Sequence, residues 1–156
     1  MKKIRKILAP TDLSELSRLG VRYALEMAKE LGAVVIVHHV VPIGEDWFSR
    51  HENFAPAREL LAREKASLEQ FLGETVSDSM NVAEIRQRVE IGSPYANIVE
   101  LAESEGVDMI VMSTHGRTGF DHMLMGSVTE KVVARAPCPV LVIPRHGRRA
   151  AIADAA

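Results

Sequence analysis

Five short runs rich in Ile and Val alternate with four stretches whose apolar residues recur three or four apart, and that alternation leaves few folds open. The runs are "IRKILAP" (4–10), "AVVIVHHVV" (33–41), the more polar "NVAEIRQRVEIG" (81–92), "VDMIVMS" (107–113) and "CPVLVIP" (138–144). Between the first two, Leu16, Leu19, Tyr23, Met27 and Leu31 mark an apolar helix face, with Arg18, Arg22, Glu26 and Lys29 opposite and Gly32 as the stop. A second helix is expected from about 57 to 76 with Leu61, Leu68, Phe71 and Leu72 inward. A third starts at Ser93-Pro94 with Ile98, Val99, Leu101 and Ala102 inward and runs to about Glu105, and a fourth runs from Gly126 to about Ala136. Strands that alternate with helices need right-handed crossovers, which lay helices on both faces of a parallel sheet. The expected fold is therefore α/β, a doubly wound five-stranded parallel sheet, with the polar third strand at an edge.

Size and composition narrow the rest. At 156 residues the chain suits one domain, taken as residues 1–145, with 146–156 as a disordered tail of basic residues followed by alanines. A hydrophobic share of 47% with 26% charged residues is that of a soluble globular protein, and a net charge of −2 gives no general attraction to nucleic acid or anionic membranes. The single cysteine, Cys138, excludes an internal disulfide and favours a reducing compartment, the cytoplasm by default. The apolar run behind the basic N-terminus is too short for a secretion signal, and none approaches the length of a membrane span.

Parallel sheets of this kind bind ligands at the carboxyl ends of their strands. There the chain reads "STHGRTGFDHMLMGSVTEKVV" (113–133), glycine-rich just before a helix. The N–H groups of a first helical turn lack intrahelical partners and the helix dipole adds roughly half a positive charge, so an anion is favoured. Gly126 leaves room for a phosphate to approach, Ser127 and Thr129 bring hydroxyls, and Gly116 and Gly119 let the preceding loop fold its amides around an anion. A flexible loop capped by Ser127 would have the same local sequence. Neither the lysine-bearing phosphate loop G-x-x-x-x-G-K-[ST] nor the dinucleotide fingerprint G-x-G-x-x-G is present.

Residues 113–127, with Gly116 and then Gly126-Ser127, closely resemble the G-x2-G-x9-G-[ST] signature of the nucleotide-binding branch of the universal stress protein family, Ser113 standing where the pattern begins with glycine. The likeness runs from "ILAPTDLSELS" through "VVIVHHVV" and "GSPYANIVELAESEGVDMIVMSTHGRTG" to "GSVTEKVVARAPCPVLVIP", nearly all of Ile4 to Pro144. It implies strand order 3-2-1-4-5, a homodimer, and bound ATP, or ADP or AMP, with or without Mg. By the same resemblance Pro10, Thr11, Asp12 and Val40 would line the adenosine half. Met112, Ser113, Gly116 and Arg117 would wrap ribose and phosphates, and Gly126, Ser127, Val128 and Thr129 would hold the phosphates.

Asp12 suits ribose hydroxyls or a metal-bound water, with an N-cap of the first helix as its structural alternative; Arg117 suits outer phosphates, with a solvated loop arginine as its own. Of His38 and His39, one must enter a buried face, as a satisfied structural residue. His115 has no ligand partner at metal spacing, Cys138 reads as a small packed residue, and Trp47 and Phe48 suit either a cover over the nucleotide or local packing. One arginine, one aspartate and backbone amides can hold a nucleotide but form a thin inventory for phosphoryl transfer. The expected role is a nucleotide-binding regulator of the stress response. A slow ATPase or phosphotransferase and a nucleotide-free dimeric scaffold are the alternatives. The "VLVI" strand at a sheet edge is the expected dimer contact.

Overall fold

The computed structural model describes residues 2–44, 55–76, 84–114 and 125–145. Its elements run β1 (Lys6–Thr11), α1 (Glu15–Leu31), β2 (Val34–Pro42), α2 (Ala55–Thr75), β3 (Glu84–Gly92), α3 (Pro94–Ser104), β4 (Met109–Ser113), α4 (Ser127–Arg135) and β5 (Val140–Ile143). The five strands form one parallel sheet in the order β3-β2-β1-β4-β5, with the more polar β3 at one edge as its composition predicts. Gly32 ends α1 in the left-handed conformation, φ 63°, and its N–H returns to Ala28 O. The tail from 146, together with Trp47, Phe48, His115, Gly116, Arg117 and Gly119, lies outside the described residues.

Alternation along the strands sends side chains to two separate cores. Ile7, Ala9, Val35, Val37 and Val111 face α1 and α2, where Leu25, Leu68 and Phe71 cover them. Leu8, Ile36, Val40, Ile110 and Met112 face the other way, onto Ile98 and Leu101 of α3 and Val132 of α4. Strand order reverses beside β1, since β2 lies on one side of it and β4 on the other.

The face of α1 departs from the sequence reading. Its buried stripe is Ser17, Gly20, Val21, Ala24, Leu25 and Ala28, whereas Leu19, Tyr23 and Leu31 are exposed and Leu16 and Met27 half-buried. Close approach to the sheet selects small side chains, so the largest apolar residues are displaced to the flank. Arg18, expected in solvent, lies over Phe71 with its Cζ 4.2 Å from the ring centroid and donates to Phe71 O at 3.0 Å, while Glu15 and Glu74 balance its charge. The stem of an arginine covers apolar surface while its head stays paired.

Candidate functional site

A cavity of about 560 Å3 opens at the carboxyl ends of β1, β2 and β4, next to the point where strand order reverses. Each residue named for the site that falls among the described ones lines it. Pro10, Thr11 and Asp12 come from the end of β1, Val40 from β2, Met112 and Ser113 from the end of β4, and Gly126, Ser127, Val128 and Thr129 from the start of α4. Gly116 and Arg117, the remaining two, lie outside the described residues.

The β1 end is shaped by hydroxyl chemistry. Thr11 Oγ1 meets Ser17 Oγ at 2.7 Å, Ser17 Oγ donates to Ser14 O at 2.9 Å, and Leu13 N–H donates back to Thr11 Oγ1 at 3.0 Å. Since Ser17 spends its hydrogen on Ser14 O, Thr11 donates to Ser17. Asp12 accepts from the N–H and the hydroxyl of Ser14, and Ser14, not Asp12, is the helix N-cap, accepting from Ser17 N–H at 3.1 Å. These bonds hold Leu13 at φ 65°, a left-handed conformation that costs a leucine about 1–2 kcal/mol. The turn thus keeps the Asp12 carboxylate at the cavity wall.

Ser113 departs from the glycine of the family pattern, and its side chain turns away from the α4 cradle. Its Oγ donates to Leu16 O at 2.7 Å and accepts from Gly20 N–H at 3.0 Å. Leu16 C=O and Gly20 N–H are the i, i+4 pair that an α-helix joins directly, so the serine hydroxyl bridges one helical hydrogen bond. Only glycine allows this approach: a Cβ at position 20 would stand 2.7 Å from Ser113 N and 2.9 Å from Met112 C. The Ser113 carbonyl in turn accepts from Thr129 Oγ1 at 3.0 Å. One residue therefore ties α1, β4 and α4 together under the cavity. The Thr129 hydroxyl, expected as a phosphate donor, spends its hydrogen inside the fold.

Gly126 is the N-cap of α4, in place of Ser127, and Ser127 is exposed in the first turn. The φ of Gly126, −71°, is open to any residue, so conformation does not demand glycine there. What the glycine removes is a side chain at the mouth of the helix.

Several lining residues escaped the sequence reading: Ser17, both histidines, Val41, Pro42, Glu64, Pro94 and Ile98. Glu64 has no motif to mark it, since α2 approaches the cavity only through tertiary packing. The adjacent histidines in an apolar strand were the available signal, and both, rather than one, are buried. His39 Nδ1 meets Thr11 O at 3.0 Å and its Nε2 meets Glu64 Oε2 at 3.1 Å. A backbone carbonyl and a carboxylate oxygen thus face its two nitrogens. His38, on the opposite face of β2, meets Glu90 Oε2 through Nε2 at 2.8 Å, and Asn97 Nδ2 donates to the same oxygen at 3.3 Å. Burial holds the His38 pKa below its ordinary value against the opposing pull of Glu90, so the ring is neutral at neutral pH. Its Nδ1 is the one buried side-chain nitrogen or oxygen among the described residues without a partner.

Among the described residues no group of three or more His, Cys, Asp and Glu side chains is placed to hold a metal ion, and no helix is long and apolar enough to cross a membrane. Cys138 is half-buried and burial pushes its thiol up, away from the reactive thiolate.

Fold and cleft define a doubly wound α/β domain with a ligand-sized opening at its switch point. The chain belongs to the universal stress protein family, whose family model matches residues 3–144. It is 32% identical to universal stress protein MJ0577 of Methanocaldococcus jannaschii over 154 residues, covering 90% of this chain and 95% of that one. It is also 32% identical to universal stress protein G of Escherichia coli O157:H7, over 89% of this chain and 98% of that protein. The solved structure of MJ0577 superposes with a TM-score of 0.77 over 94% of this chain and 99% of its own. A universal stress protein solved in complex with cAMP, 22% identical, shares the fold at a TM-score of 0.71 over 91% of this chain and 98% of its own.

Proposed function

We propose that the chain binds an adenine nucleotide, ATP or its ADP or AMP relative, in the cavity at the carboxyl ends of β1, β2 and β4, and acts in the cytoplasm as a dimeric, nucleotide-dependent regulator of the stress response. The observation that carries this reading is the convergence of ten residues, from three strand ends and one helix start, on a cavity of about 560 Å3, a volume within the usual range for small-molecule sites. The walls suit the two ends of such a ligand. Pro10, Val40, Ile98 and Met112 offer apolar surface to a base, while the first-turn N–H groups of α4, fronted by Gly126, offer donors to phosphate. Asp12 accepts from ribose hydroxyls at the hinge between the two ends. In the same reading Gly116 and Arg117 complete the phosphate cradle, and any Mg2+ is held by the phosphates themselves. That one relative of this fold holds cAMP speaks for the fold's capacity, not for these residues.

Binding, orientation and water exclusion are what these groups do well. An aligned nucleophile and a cationic clamp for transfer are not among the described residues at the cavity. Single domain 1–145 is the functional unit, and β5 is its dimer edge. The decisive experiment strips purified protein of nucleotide and titrates ATP with magnesium into wild type and Gly126→Val. The expected result is tight binding by wild type and a loss of at least about tenfold in the variant, whose side chain blocks the helix mouth. Unchanged affinity in Gly126→Val would refute the assigned site.

A further inference from the structure

The hydroxyl of Ser14 serves two elements at once. Its Oγ accepts from Ser17 N–H at 3.1 Å, which caps α1, and its hydrogen goes to Asp12 Oδ1, where the Ser14 N–H also donates at 3.0 Å. Every hydroxyl hydrogen at this turn has a destination: Thr11 gives its own to Ser17 Oγ, Ser17 gives its own to Ser14 O, and Ser14 gives its own to the Asp12 carboxylate. Two donors from one residue converge on one carboxylate oxygen and stop the group from turning about its Cβ–Cγ bond, a torsion that is otherwise broad. Asp12 and Ser17 line the cavity, whereas Ser14 does not. Ser14 can therefore reach a ligand only through Asp12.

Position along the sheet says which part of the ligand meets Asp12. The α4 N-terminus follows β4, and β1 is the neighbouring strand, about 5 Å away at ordinary strand spacing. A nucleotide whose phosphates sit at α4 carries its sugar next, over the end of β1. A carboxylate free to turn would have to be ordered by the ligand at a cost in affinity, whereas one held beforehand meets the sugar hydroxyls in place.

We infer that Ser14 is a positioning residue of the site: its hydroxyl and N–H clamp the Asp12 carboxylate so that the cavity selects a sugar bearing both hydroxyls over its deoxy analogues. The clamp is anchored because the same oxygen caps α1, and the first turn of that helix is tied in turn to Thr11 through Ser17. Leu13 at φ 65° closes the turn between Asp12 and Ser14 and brings the two into contact. This inference rests on the nucleotide reading of the cavity, and its test separates the two.

ATP, 2′-deoxy-ATP and 3′-deoxy-ATP are titrated into wild type, Ser14→Gly, Ser14→Ala and Ser14→Thr, and into Asp12→Ala with and without Ser14→Gly. Glycine is itself a fair N-cap and costs a helix little where alanine costs more, so Ser14→Gly removes the clamp and nearly spares the cap. Threonine keeps the hydroxyl, and the extended backbone of residue 14, φ −77° and ψ 158°, accepts its branched side chain. Expected are a preference of at least about tenfold in wild type for ATP over the analogue lacking the hydroxyl that Asp12 reads, a ratio near one in Ser14→Gly and Ser14→Ala alike, recovery in Ser14→Thr, and no effect of Ser14→Gly on the ratio once Asp12 is alanine. Because each ratio is taken on one preparation, a partly unfolded variant weakens all ligands alike and leaves it unchanged. A purely structural cap predicts the opposite, a wild-type ratio in Ser14→Gly. That result, a wild-type protein indifferent to both sugar hydroxyls, no recovery in Ser14→Thr, or a change of ratio by Ser14→Gly in the absence of the Asp12 carboxylate would each overturn the role of Ser14 and leave the nucleotide site standing. Absence of binding by any of the three nucleotides would overturn both.

Discussion

Gly20→Ala places the packing beneath the cavity under test. In an exposed helix the substitution stabilises, because alanine exceeds glycine in helix propensity by about 0.8–1 kcal/mol. In α1 the new methyl would stand 2.7 Å from Ser113 N and 2.9 Å from Met112 C, both backbone atoms that cannot rotate away. Overpacking of this kind costs about 1–3 kcal/mol, and disturbing the 3.0 Å bond from Gly20 N–H to Ser113 Oγ about 1 kcal/mol more. Set against the propensity gain, the net is a loss of about 1–3 kcal/mol, or a fall in Tm of roughly 2–4 °C per kcal/mol for a chain of this size. Gly73→Ala is the internal control: Gly73 lies within α2, is exposed, and a Cβ there meets nothing within 4 Å. It should stabilise by about 0.5–1 kcal/mol. Urea unfolding of both variants at one fixed protein concentration reads the two signs, the fixed concentration removing any contribution from dimerisation. If Gly20→Ala is neutral or stabilising like its control, the close contact between α1 and β4 is not what constrains that position.

Three further outcomes follow from the same contacts. Ser113→Ala removes the hydroxyl that bridges Leu16 O and Gly20 N–H and should cost about 1–2 kcal/mol in urea unfolding, with nucleotide affinity nearly unchanged because the side chain is turned to α1; a large loss of affinity at unchanged stability would contradict that orientation. The folded-state pKa of His38 lies below its ordinary 6.5, through burial first, with Arg88 and His39 adding to the shift and Glu90 opposing it. The unfolded chain therefore binds the proton first, so stability is full above about 6.5 and declines as pH falls below it. Wild type should lose more stability than His38→Gln between about pH 7.5 and about pH 5.5, and parallel pH dependence would remove His38 as the source. At β5, Pro139 O and Ile143 O accept from β4 and its following residue, so alternation turns the backbone groups of Val142 outward from the sheet edge. Val140 packs against the core under α3 and α4, which makes Val142→Lys the cleaner variant; a monomer in solution scattering is expected, and a persisting dimer would refute the edge as the contact.

Much of the fold was legible because period and punctuation carry it. Runs of Ile and Val between amphipathic stretches, ended by Gly32 or opened by Ser93-Pro94, placed all nine elements to within a few residues, and the resemblance supplied the strand order that local pattern does not contain. The inward face of α1 was misread because hydrophobicity marks large residues, whereas the contact with β4 requires small ones, and nothing within residues 15–31 states how closely β4 will approach. The same limit applies at the site.

By itself the sequence determined the alternating α/β architecture and the helix opening at Gly126, since each depends on local spacing, whereas Pro10 to Asp12 were named through the family resemblance. Only the tertiary structure decided that the Ser113 hydroxyl is spent on α1, that Thr129 donates to Ser113 O, that Glu64 reaches the cavity from α2, and that His38 keeps one nitrogen bare. Those outcomes join residues from 16 to 97 positions apart, and hydrogen bonds across such separations are settled by which elements the sheet brings side by side, a property of the packed chain and not of any segment within it.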